Sequence, residues 1–182
     1  MNLVSLAPQW ALILLGVLLL LAAFQDAVQL KISNLLCAAI LLVGIVSSAV
    51  IGVRPGIWQN VVLVIAALTV GTMLFSSGKM GGGDVKLFAA TIFWFNLSGA
   101  LWLLISVTIA GGVLAMIVLG VRMADWSEAM QRRAVVLRPK SGIPYGVAIA
   151  AGALLTMPSA AGQRPVDPRT NWSIPAPPAG RS

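Results

Sequence analysis

Apolar residues in this chain come in long unbroken runs rather than in the spaced positions of a half-buried helix or strand. The first run spans Ala7 to Gln25 and the second Leu35 to Val53; "RPG" then interrupts the chain before a third run, Ile57 to Phe75. A helix needs about 20 mostly apolar residues to cross the hydrocarbon core, so each run predicts one membrane span. The tract 85–121 is longer than a single ordinary span. "FNLSGA" near its middle supplies Asn96, Ser98 and Gly99 as turn and cap formers, which divides it into a short fourth span and a fifth from about Leu101. A polar, charged segment, Arg122 to Gly142, separates these from a last run, Ile143 to Met157, which is short unless it extends to Ala161. The expected fold is therefore all-α: a polytopic transmembrane helical bundle of about six spans. Residues 1–157 form a membrane-embedded domain. Residues 158–182, with six prolines, form a tail expected to be extended or disordered.

Composition agrees with a lipid environment. The chain is 59% hydrophobic and only 9% charged, against about a quarter charged in soluble domains. Its net charge of +7 would suggest nucleic acid in a soluble protein, but no basic stripe is interleaved with aromatics here. The surplus instead sets topology, and no nucleic-acid partner is expected. The six tryptophans fit the membrane interface or packing within the bundle. With one cysteine, Cys37, and no histidine, the sequence excludes an internal disulfide, a Cys/His metal cluster and any Ser-His-Asp or Cys-His arrangement. Neither a metal nor a cofactor is expected. No Lys or Arg precedes the first apolar run, so it lacks the basic region of a signal peptide and is expected to stay as an uncleaved span.

Charge then orients the bundle. Two spans separate Asp26 from Asp84, and two more separate Asp84 from the loop at Arg122, so all three fall on one face. That face carries Lys31, Lys79, Lys86, Arg122, Arg132, Arg133, Arg138 and Lys140; the other carries Arg54, Arg164, Arg169 and Arg181. The bias places the aspartates on the cytoplasmic side and the N-terminus outside.

These two aspartates are the candidate chemistry. Only five acidic residues occur in the chain, and acidic side chains at membrane depth are costly unless they face the bundle interior or a wet cavity. Asp26 ends a long apolar run; Asp84 opens another, after "KMGGG". Each also has an ordinary reading: Asp26 as an interfacial helix end, Asp84 as a first-turn acid facing free backbone N–H groups, with the glycines as a flexible link. Brought into one cleft, the pair would share a proton, because like charges so close cannot both ionise cheaply. The ionised member would then take a proton from water while the protonated one polarises a peptide carbonyl.

Three stretches carry a resemblance to a known family. "DAVQLKISN" has an Asp followed by an Asn, Asp26 and Asn34; "GGGDVKL" contains Gly81, Gly83, Asp84 and Lys86; "KSGIPYGVAIAAG" contains Lys140, Pro144, Tyr145 and Gly146. In this order they resemble the prepilin leader peptidases, membrane aspartic proteases of the GxGD type, and most of all the short form associated with Flp or tight-adherence pili. The resemblance covers roughly residues 10–157. It implies that Asp26 and Asp84 are the catalytic pair, with Asn34, Gly81, Gly83, Lys86, Lys140, Pro144, Tyr145 and Gly146 in support. It implies a substrate, a prepilin or pseudopilin, with a basic leader and a hydrophobic helix, cut at the cytoplasmic face of a bacterial inner membrane. Membrane lipid and pilus assembly machinery are the implied partners. "ISN" stands where the family commonly has Ile-Pro-Asn, with Ser33 in the proline position. The paired CxxC motifs and N-terminal insert of the longer, methylating relatives are absent, which implies cleavage without methyl transfer. Simpler roles remain open for single residues: Lys86 and Lys31 as snorkelling charges and Asn34 as a helix cap. For the whole chain, a non-enzymatic assembly subunit of a pilus or secretion system and a small ion-coupled transporter are the alternatives.

Overall fold

The computed structural model describes residues 1–52, 56–123 and 142–162. These form seven helices: α1 (Leu3–Leu6), α2 (Gln9–Gln29), α3 (Asn34–Ile51), α4 (Ile57–Ser76), α5 (Gly82–Ile92), α6 (Leu97–Arg122) and α7 (Tyr145–Gly162). Among the described residues there is no strand. The six apolar runs are all helical and in the expected order. α2, α3, α4 and α6 are long and apolar enough to cross a membrane, and α7 is a shorter apolar helix. Their outward faces carry large apolar side chains such as Ile13, Leu42, Ile65 and Met116. A soluble protein would not leave so much apolar surface in water. The protein is a membrane protein.

α5 is the exception to the outward-facing pattern, and the fold is arranged around it. Its 11 residues rise about 16 Å at ~1.5 Å per residue, about half the hydrocarbon thickness. Leu87, Ala89, Ala90, Thr91 and Ile92 are all buried. α3, α4 and α7 pack around α5, α2 packs on α3 and α7, and α6 packs on α7.

A half-length helix leaves carbonyls stranded inside the bundle, where each unpaired polar group is costly. Polar side chains meet that need. Asn60 of α4, fully buried, donates through Nδ2 to the carbonyls of Phe93 (2.7 Å) and Phe95 (3.2 Å). Trp94 Nε1 donates to the Ile40 carbonyl at 3.2 Å. The N–H groups of Leu3 and Val4 in α1 donate to the Trp94 carbonyl, so α1 fills the depth that α5 does not reach. The turn then restarts as α6, with Asn96 as its N-cap accepting from the Gly99 N–H at 2.8 Å.

Two sequence expectations are refined here. Asn34 is not the cap of α3: Ser33 is, its side chain accepting from the Leu35 N–H at 3.2 Å. Serine thus does locally what the entry to this helix requires. α7 continues past Met157, through Pro158, to Gly162. Lys140, Arg132, Arg133, Arg138, Arg54 and positions 163–182 lie outside the described residues.

Candidate active site

Asp26 lies near the C-terminal end of α2, where the chain leaves the helix through Leu30. That residue adopts a left-handed conformation, φ 52°, and its N–H closes the helix on the Asp26 carbonyl. Such a backbone normally calls for glycine, and holding a leucine there costs roughly 1–2 kcal/mol. The turn that results is fixed by Gln25, whose Oε1 accepts from the Ser33 N–H at 2.9 Å. It folds Ile32 back over the end of the bundle.

Asp84 comes from the other side. Gly81 is the N-cap of α5, and Asp84 sits in the first turn, as expected of an acid near free N–H groups. The glycine loop is shaped by close approach. A Cβ on Gly83 would sit 3.2 Å from Ile32 Cβ, and one on Gly81 would sit 2.7 Å from Asp84 Oδ2. A side chain at either position would therefore push Ile32 or the carboxylate away.

The two aspartates share one cavity of about 280 Å³, lined by Asp26, Leu30, Lys31, Ile32, Gly81, Gly82, Gly83 and Asp84. Both are buried, at 4% and 8% exposure. α7 completes the site. Its Gly146 N–H donates to Asp26 Oδ2 at 2.6 Å and also lies within reach of Asp84. The Val147 N–H approaches Asp26 as well. The free N–H groups of a helix start are a natural partner for a carboxylate. Only glycine fits there, because a Cβ would lie 2.8 Å from Asp26 Oδ2 and 2.7 Å from Ile32 Cδ1. Asp84, on the short helix outside the four spanning ones, is pushed up to about 7, first by burial and then by the negative charge of Asp26. Its carboxyl therefore holds or releases a proton near neutral pH, which is what general acid–base work requires.

The supporting residues divide. Gly81, Gly83 and Gly146 touch the carboxylates or the wall that holds them. Pro144 is buried just ahead of α7, and its carbonyl accepts from the Val147 N–H at 3.2 Å, starting the helix. Asn34 and Lys86 meet each other: Lys86 Nζ donates to Asn34 Oδ1 at 2.9 Å. They line a separate groove rather than the aspartate cavity. Tyr145 is 37% exposed and absent from the cavity wall. Lys140 lies outside the described residues. Sequence reasoning missed the roles of Gln25, Leu30 and Ile32, which carry no special signal beyond standing near the aspartate in the chain.

Residues 13–120 match the family model described as the type IV leader peptidase family. Neither the curated proteins nor the solved structures yielded a match. The matched segment includes Asp26, Asn34, Gly81, Gly83, Asp84 and Lys86 and stops short of Gly146.

Proposed function

We propose, from the premise that this chain belongs to the type IV leader peptidase family, that Asp26 and Asp84 are the catalytic pair of an aspartic endopeptidase. Its substrates are type IV, Flp-like prepilins, cut where the basic leader meets the hydrophobic helix. The observation that carries this reading is the single cavity lined by both buried carboxylates.

The chemistry follows from one proton shared by two acids. One carboxylate removes a proton from a water held between them. The other donates its proton to the scissile carbonyl oxygen, so negative charge does not accumulate on the tetrahedral intermediate. Collapse of that intermediate breaks the C–N bond: the acid that gained the proton passes it to the departing amine, and the other carboxylate takes a proton back from a hydroxyl of the intermediate, which leaves the carboxylic acid product and restores the pair. No covalent enzyme intermediate is formed. The Gly146 N–H, 2.6 Å from Asp26 Oδ2, orients that carboxyl toward its partner.

The cavity sits at the ends of α2 and α5 rather than at mid-bundle, which favours hydrolysis over ion transport. The lysine and arginine bias supports a cytoplasmic face of a bacterial inner membrane. A single cysteine supports cleavage without the methyl transfer of the longer relatives. The test is leader removal in vesicles that hold the protein and an Flp-type prepilin, read by the mass of the product. Asp26→Asn and Asp84→Asn should each abolish it; wild-type cleavage by either variant would end the assignment.

A further inference from the structure

α3 and α4 each pack on α5, yet they scarcely touch each other. The gap between them is an open groove of about 260 Å³ on the lipid-facing side of the bundle. Its floor is α5 itself, through Ala89 and Ala90, and its walls are Ala38 and Leu41 on α3 and Val64 and Leu68 on α4. Small residues along a floor let another helix approach closely, the common device for helix association in lipid.

The groove also leads to the aspartates. At its upper end Cys37 Sγ reaches the Gly83 carbonyl at 3.9 Å, and Gly83 is part of the cavity wall around Asp26 and Asp84. Gly83 and the Ile32 segment packed on it lie between the two spaces, and the hydrogen-bonded pair Lys86 and Asn34 also lines the groove. A second apolar groove, about 440 Å³, runs along α6 and α7. It is a different kind of surface. α6 and α7 are locked together, since a Cβ on Gly152 would lie 2.7 Å from the Val107 nitrogen, and no residue of α5 lines it.

We propose that the α3–α4 cleft is the lateral entry and docking groove for the apolar helix of the substrate. This rests on the peptidase reading given above. A scissile bond that directly precedes an apolar helix requires that helix to lodge in the membrane within a few residues of the aspartates. The cleft offers that: an apolar trough floored by the helix that carries Asp84, ending at a loop whose glycines present no side chain to an incoming backbone.

The test bridges the cleft. Leu41→Cys and Val64→Cys are introduced together with Cys37→Ala and joined by a short bifunctional maleimide. The bridged protein is compared with the same protein before bridging, in vesicles, on two substrates: an intact prepilin-type protein, and a soluble peptide that spans the cleavage site but lacks the apolar helix. Bridging should lower kcat/KM for the intact substrate at least about tenfold and leave the soluble peptide unaffected. Equal rates before and after bridging on the intact substrate would overturn the proposal and leave the cleft to lipid or to a second copy of the chain. Equal loss on both substrates would overturn it too, by showing that the bridge acts on the aspartates themselves. If the unbridged protein cleaves neither substrate while wild type also fails, it is the peptidase reading that falls.

Discussion

Gly146 and Asp26 are 120 residues apart in sequence and joined by a 2.6 Å hydrogen bond from backbone N–H to Oδ2. The start of α7 is therefore part of the aspartate site, although it lies outside the segment that matches the family model. A methyl group at this position would have to displace Asp26 or Ile32. Gly146→Ala is expected to lower kcat about 100-fold, the scale of an ångström-sized misplacement of a reacting group. The protein should still insert and fold, which a size-exclusion profile in detergent matching that of the wild type would check. Full activity in that variant would show that the contact does not position Asp26.

Asp84 gives the site its pH dependence. With its carboxyl raised from 3.8 to about 7, the shared proton is lost as pH climbs through about 7, and cleavage should decline on that alkaline side. The sign for stability is the same. Between pH ~4 and ~7 the folded chain holds more protons than the unfolded one, so stability should fall as pH rises across that window and level off above it. Asp84→Asn, neutral throughout, should flatten this part of the profile. Thermal melting of wild type and Asp84→Asn from pH 4 to 8 in detergent measures the stability profile, and the cleavage rate of the wild type over the same range measures the loss of activity.

Asn60 holds up the far end of α5. Replacing it with leucine leaves the carbonyls of Phe93 and Phe95 without a partner in a buried setting, at about 1–3 kcal/mol for each unsatisfied group. Asn60→Leu is expected to destabilise the protein by about 2–4 kcal/mol, read as a shift in melting or denaturant midpoint. An unchanged midpoint would mean that the turn finds other donors.

Leu30 and Val28 make a matched pair of substitutions. Leu30 has φ 52°, so Leu30→Gly removes strain and should leave stability unchanged or raise it by up to about 1 kcal/mol. Val28 lies inside α2, where glycine lowers helix stability by several tenths of a kcal/mol up to about 1 kcal/mol. The opposite ordering of the two midpoints would argue against a left-handed residue at position 30.

The exposed Lys86–Asn34 hydrogen bond is expected to contribute little to folding. A double-mutant cycle with alanine at both positions should return a coupling of about 0.5–1 kcal/mol. A value near zero would make Lys86 a snorkelling charge and nothing more.

Much of the architecture was legible in the sequence because apolar runs report span positions directly, and the family motifs marked both aspartates. What was not legible depends on contacts distant in sequence. Asn60 sits in an apolar run with nothing local to mark it; its role exists only because α5 ends halfway and exposes carbonyls nearby. Asn34 is a good cap by propensity, but Ser33 takes the cap and the Asn34 amide turns to Lys86, 52 residues away. Leu30 is the hardest case, since leucine gives no hint of a left-handed backbone. The surrounding turn, through Gln25 and Ser33, imposes it.

The central claim is that Asp26 and Asp84 act as one unit, and the rate of leader cleavage in single and double asparagine variants tests it most directly. Residues that share one step are not additive, so Asp26→Asn, Asp84→Asn and the double variant should all fall to the same residual rate. Wild-type activity in either single variant, or a double variant slower by the product of the two single losses, would contradict the account.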